Sequence, residues 1–345
     1  MKVLALLWFC GFCAQAAVAA RGRPRLLPNR TILTDSGVPL RGPAWSKCFL
    51  RGGNRNNVTE TDIAALMKFE QTPFNALHVY HDAPGCSTGG IELDEVDAIV
   101  SWAGTHGVYI VLVAAGDTWA NQWSLWWPIL APRYADQTHV VYEMINEPHE
   151  FNTHDMSAWN ASASQMAAAY ADIKKAAPET LVLLPTIAAL NEHEYERILY
   201  GDRQHYPSGT PRTPFAGGLL GFAPPGAAPL PTTAPLSYHT YDGDEFPRVG
   251  QSLDVVHALG WATIDTELPT NQTGSCNLAC CCNTDPKWVS RGACSTNVNK
   301  TVEYERRGQS WLSFVSILNV TESLAAPLVA AGVSWHDPYM ENFRA

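Results

Sequence analysis

Two glutamates close apolar runs in this chain, and both precede a strand-ending proline. Glu147 follows VVYEMIN within Asn146-Glu147-Pro148, and Glu267 ends WATIDTE just before Leu268-Pro269. A proline has no amide to donate and restricts the residue before it to extended geometry, so Pro148 fixes the direction of the Glu147 carboxylate. Two carboxylates about 5 Å apart form the retaining pair for glycoside cleavage: one attacks the anomeric carbon and the other protonates the leaving oxygen. The charge of an ionised nucleophile keeps its neighbour protonated, which suits that neighbour to act as the acid. Between the pair, SYHTYDG spaces His239 and Tyr241 by two, so on a strand both face one side. From there the tyrosine hydroxyl can donate to the nucleophile, and the imidazole can orient the acid or a sugar hydroxyl. Asn146 is suited to hydrogen-bond a sugar hydroxyl, and Trp335 offers a flat apolar floor for a pyranose ring.

These residues need a scaffold that brings strand ends together. Short apolar or β-branched runs alternate with amphipathic stretches, which argues for βαβα order and a parallel sheet. Eight candidate strands follow: PLRGPAW from Pro39, NALHVY from Asn75, VYIVLV from Val108, HVVYEMI from His139, TLVLLP from Thr180, PLSYHTY from Pro235, WATIDTE from Trp261 and GVSWH from Gly332. Eight is the number of an α/β (β/α)8 TIM barrel, where carboxyl-terminal strand ends line one mouth. Thr59 caps a helix with Ile63, Leu66 and Met67 on one face. Leu93, Val96 and Val100 form a second stripe that stops before Gly107, and a third helix runs from about Met156 to Ala176 ahead of Pro178. The Gly-, Pro- and Ala-rich stretch from Gly209 to Pro235 reads as a long loop. Only about nine residues follow GVSWH, too few for a full final helix. Glu143 lies four residues before Glu147 and Asp265 two before Glu267; the alternation puts them on the same faces but deeper, as interior polar groups pairing with Arg41 rather than as catalysts.

The remaining features bound the setting. Residues 1–20 read as a signal peptide: Lys2, an apolar stretch from Val3 to Cys13, then small residues suited to cleavage near Ala19 or Ala20. Residues 21–345 then form one catalytic domain. The apolar stretch is too short for a membrane anchor, so a secreted, extracellular product without membrane association is expected. The formal net charge of -10 repels phosphates and makes nucleic acid a poor partner. Asn-x-Ser/Thr acceptors occur at Asn29, Asn57, Asn160, Asn271, Asn299 and Asn319, as suits a glycoprotein. Beyond the signal lie Cys48, Cys86, Cys276, Cys280, Cys281, Cys282 and Cys294, an odd set for which export favours disulfides over a metal site. Trp119, Trp123, Trp126 and Trp127 divide between extra sugar subsites and helix packing. The sequence leaves the oligomeric state open.

Taken in order, Asn146-Glu147-Pro148, His239-x-Tyr241, Thr266-Glu267 and Trp335 resemble a clan A glycoside hydrolase, most closely family 5, the cellulase type. The entry DSGVPLRGPAW is similar to that family's first strand. The resemblance implies Glu147 as acid/base, Glu267 as nucleophile, and Asn146, His239, Tyr241 and Trp335 as the supporting shell. The chain departs from the family at its second strand, where NALHVYHD carries His78 in place of a usual arginine, which makes His78 a further candidate for the site. It departs again at the third, where VLVAAGDTW lacks a frequent histidine. The expectation is a retaining hydrolase of a β-linked oligo- or polysaccharide with no metal or organic cofactor, first an endo-β-1,4-glucanase, then a mannanase or β-1,3-glucanase. A barrel that binds carbohydrate without cleaving it is the alternative of another class.

Overall fold

The computed structural model describes residues 21–47, 57–68, 74–81, 92–114, 126–146, 156–185, 233–239, 260–268 and 298–319, with short pieces between 250 and 258. In chain order the elements are β1 (Arg25–Leu26), β2 (Ile32–Leu33), β3 (Arg41–Trp45), α1 (Glu60–Leu66), β4 (Ala76–His81), α2 (Leu93–His106) and β5 (Tyr109–Ala114). They continue as α3 (Trp127–Arg133), β6 (Val140–Glu143), α4 (Met156–Ala176), β7 (Val182–Pro185), β8 (Leu236–His239), β9 (Thr263–Leu268), α5 (Val298–Arg307) and β10 (Ser310–Ser316). Strands β3 to β10 are all parallel, and β10 pairs with both β9 and β3 to close an eight-stranded barrel.

Seven of the eight expected strands lie where their apolar runs fall, and the eighth does not. Closure is made by Ser310–Ser316, not by GVSWH. Residues 332–336, Trp335 among them, lie outside the described residues, and 29 residues rather than nine follow the closing strand.

The barrel strands bury both faces, so two apolar shells form. Ala76, Tyr109, Val111, Val141, Leu183, Ala262, Ile264 and Leu312 fill the interior. Leu77, Val79, Ile110, Leu112, Tyr142, Leu184 and Tyr238 face outward onto Ile63 of α1, Val96 and Val100 of α2, and Met166 and Ile173 of α4. The helix stops follow local chemistry. The Asp62 carboxylate accepts from Thr59 N at 2.8 Å and from Thr59 Oγ1 at 2.6 Å at the start of α1. At the end of α2, Gly107 takes a left-handed φ of 67°.

At β3 the chain tolerates a proline in a barrel strand because the ladder breaks there. Leu312 pairs with Gly42 and Ser316 with Ala44, so the register skips over Pro43, which has no amide to offer. Beside it, a Cβ on Gly42 would lie 1.7 Å from the Ala76 carbonyl oxygen, so only glycine lets β3 and β4 approach this closely.

The β1–β2 hairpin, unforeseen in the apolar pattern, covers the amino-terminal end of the barrel. Ile32 joins the interior shell, with Leu26 packed against it. The Tyr109 hydroxyl donates to Gly22 O at 2.8 Å, and Ser310 Oγ donates to Ile32 O at 2.7 Å while accepting from Leu40 N at 2.9 Å. With one end floored in this way, the opposite end, where the strands finish, is left to carry chemistry.

Candidate active site

The seventh barrel strand does not follow simple alternation. Ile264 points inward and Asp265 outward, where its Oδ2 accepts from Tyr304 OH of α5 at 2.9 Å. Thr266 points inward again, donating to Glu143 Oε1 at 3.0 Å. Strict alternation would then turn Glu267 outward. Instead Tyr238 pairs with Asp265 and His239 with Glu267, so β9 holds one more residue than β8 opposes, and the pairing with β10 slips at the same place. This is a β-bulge, a device that bends a strand and re-aims a side chain. It directs Glu267 into the mouth, and Asp265 Oδ1 accepts the Glu267 amide at 3.2 Å. The expectation that Asp265 lies on the face of Glu267 is therefore corrected. Nor is Arg41 the partner found for Asp265 or Glu143: its Nε and Nη2 grip the two carboxylate oxygens of Glu305, each at 2.6 Å.

Glu267 is buried, with 1 % of its surface exposed, and each carboxylate oxygen has a partner. The Tyr80 hydroxyl, from β4, donates to Oε1. His239 Nδ1, from β8, lies 3.5 Å from Oε2. A buried carboxylate is tolerated only when it is paired in this manner. Tyr80 was not singled out from the sequence, yet NALHVYHD holds the signal: it sits two residues past His78, on the same inward face.

Deeper along β4, the fully buried His78 places Nε2 2.7 Å from Glu143 Oε2. Burial alone would push the Glu143 carboxyl up, but the His78 imidazole, with help from His239 and Ser237, outweighs it and holds the group below the usual glutamate value. His78 therefore faces Glu143 rather than the mouth. Its ring also lies 4.3 Å, centroid to centroid, from that of Tyr80.

Asn146 lies three residues beyond the fourth barrel strand, its amide donating to Ala114 O at 3.2 Å, and its Oδ1 is buried without a hydrogen-bond partner. That unpaired acceptor lies at the carboxyl end of β6, on the same rim as Glu267. Glu147, Tyr241 and Trp335 lie outside the described residues, as do Trp119, Trp123 and all seven cysteines after the signal. Trp127 is a packing residue, buried with Nε1 donating to Met144 O at 2.7 Å, and Trp126 lies edge-on to His81. Of the Asn-x-Ser/Thr positions, Asn29 and Asn57 are exposed. Among the described residues no three His, Cys, Asp or Glu side chains converge as metal ligands would, and no helix is long and apolar enough to cross a membrane.

A closed parallel barrel with a paired glutamate at the end of its seventh strand fits a barrel hydrolase acting on glycosidic bonds. The family model for cellulase (glycosyl hydrolase family 5) matches residues 67–247, more than half of the chain, and the chain belongs to that family. It is thus an O-glycosyl hydrolase. No curated protein sequence matches it. Solved structures similar in fold include a cellulase at 17 % identity, covering 88 % of this chain and 83 % of that one with a TM-score of 0.55. Another is a hyperthermophilic endocellulase from the archaeon Pyrococcus horikoshii, at 16 % identity, 87 % and 90 % coverage and a TM-score of 0.53. A third is a mutant family 5 enzyme from Prevotella bryantii B14 in complex with a xyloglucan tetradecasaccharide, at 11 % identity, 86 % and 96 % coverage and a TM-score of 0.52.

Proposed function

We propose that the protein is a secreted endo-β-1,4-glucanase working by double displacement, with Glu267 as nucleophile and Glu147 as acid/base. The observation that carries this reading is the β9 bulge, which turns Glu267 into the mouth between the Tyr80 hydroxyl and His239. A carboxylate so held is ionised and aimed, as attack on an anomeric carbon requires. Glu147 follows Asn146 at the end of the fourth strand and protonates the departing oxygen as the Glu267–sugar bond forms. It then takes a proton from the water that releases the sugar, so two inversions leave the anomeric configuration retained. The β-glucan substrate is supported by the cellulase family and by endocellulases among the solved structures of similar fold. Export is supported by the leader in residues 1–20.

The purified protein is to be screened on cellulose, mannan, laminarin and xylan, with product anomers followed by NMR. Cellulose is expected to be cleaved first, with a β-anomer as the initial product. An initial α-anomer would exclude double displacement, and preferential cleavage of another polymer would exclude the glucanase assignment. Glu147→Gln and Glu267→Gln should each abolish hydrolysis of an aryl β-cellobioside, whereas full activity in either would remove that residue from its role. Binding of sugar by the wild type without any turnover would point to a carbohydrate-binding barrel. Amino-terminal sequencing of the exported protein should start near Arg21.

A further inference from the structure

Below the mouth, the nucleophile is one point of a closed circuit of contacts, most of which take no part in the double-displacement scheme. Tyr80 OH donates to Glu267, the Tyr80 ring lies on His78, His78 Nε2 meets Glu143, Glu143 accepts from Thr266, and Thr266 is bonded through the chain to Glu267. The circuit links β4, β6 and β9, which are not adjacent in the barrel order. We propose that Tyr80 is a positioning residue for the nucleophile, its hydroxyl holding Glu267 ionised and aimed while the buried His78–Glu143 pair braces its ring; this rests on the reading of Glu267 as nucleophile.

The geometry leaves Tyr80 little freedom. It is fully buried, with His78 at 4.3 Å on one side and Phe314 edge-on at 6.3 Å on another. Its hydroxyl reaches Oε1 from β4, while His239 approaches Oε2 from β8. Among the described residues, the titratable groups facing this cluster include His239, His78, Glu143 and Asp265, the last holding the Glu267 amide. Donation to a carboxylate favours its charged form. Removing the donor therefore makes Glu267 easier to protonate, and the acid limb of activity moves to higher pH.

The test compares wild type with Tyr80→Phe, which keeps the ring and removes one oxygen. On an aryl β-cellobioside, kcat/KM should fall about 10- to 100-fold, the range for losing a hydrogen bond to a charged group. The acid limb of its pH profile should rise by about one pH unit, with Tm and KM little changed. A merely structural tyrosine would lower Tm and leave the limb in place, and an unmoved limb overturns the proposal. Should Tyr80→Phe not fold, the isosteric Glu143→Gln replaces it; loosening the brace should move the limb in the same direction by less, and no movement is again fatal. A 2-deoxy-2-fluoro-β-cellobioside with a dinitrophenolate leaving group separates the two readings. It should label wild-type Glu267, as peptide mass spectrometry would report. If Glu267 stays unlabelled, the nucleophile assignment fails and takes the proposal with it; if it is labelled while the limb stays still, the proposal alone fails.

Discussion

At the scale of single residues, the site depends on buried polar groups that satisfy one another. Asp265 shows this best, because it serves two elements at once: Tyr304 OH of α5 and the Glu267 amide on the bulge. Asp265→Ala would remove one acceptor from the buried Tyr304 hydroxyl and one from the bulge amide. We expect a loss of about 2–4 kcal/mol in urea unfolding, together with a marked fall in kcat because Glu267 is no longer held in direction. Loss of stability with unchanged kcat would show that the bulge holds its shape without this carboxylate. Sequence reading singled out Glu267, His239 and Asn146, since each ends an apolar run. It placed Asp265 on the wrong face because counting by twos cannot register an inserted residue. His78 was assigned by position alone, and its partner Glu143 sits on a different strand, beyond the reach of local spacing.

At the scale of elements, the strands were legible where both faces are apolar. VYIVLV and TLVLLP are almost wholly apolar, and the structure places β7 within the second and β5 along the first, one residue further on. The closing strand SWLSFVS was missed because serine interrupts it, and those serines have tertiary reasons. Ser310 links Leu40 N to Ile32 O, so its hydroxyl replaces hydrogen bonds the backbone would otherwise lack. The close approach of β3 and β4 gives a sharper prediction. Gly42→Ala would drive a methyl into the Ala76 carbonyl, a backbone atom that cannot step aside. Destabilisation of several kcal/mol or failure to accumulate as folded protein is expected by circular dichroism and thermal melting. A variant as stable as wild type would mean that the two strands are farther apart than described.

At the scale of the whole molecule, burial makes the fold sensitive to acid. His81 has both ring nitrogens buried without a hydrogen-bond partner, and burial lowers its pKa to about 4. Burial likewise lowers His139, whose ring nitrogen Nε2 lies 2.9 Å from Val100 O, and His257. Each binds its proton more readily in the unfolded chain, at about pH 6.5, than in the fold. Their contribution is therefore complete above that pH and is lost as pH falls below it, for His81 down to about 4, where this residue alone accounts for roughly 3 kcal/mol. Glu143, held low mainly by His78 against its burial, adds a second loss only below the ordinary glutamate range. Melting temperature should decline steadily from pH 7 to pH 4, and His81→Phe should flatten that decline. A melting profile indifferent to pH in this interval would show that the histidines are not kept neutral.

The bond between Ser310 and Ile32 spans 278 residues of chain. During synthesis the hairpin leaves the ribosome early and must wait for the barrel's last strand before its own hydrogen bonds are complete. Until then a partial barrel presents two raw strand edges and an unsealed apolar well, the surfaces on which neighbouring chains adhere. Production of this protein will thus be limited by how long nascent chains are shielded, and chaperone supply or slower translation should raise the soluble yield more than any change made at the mouth.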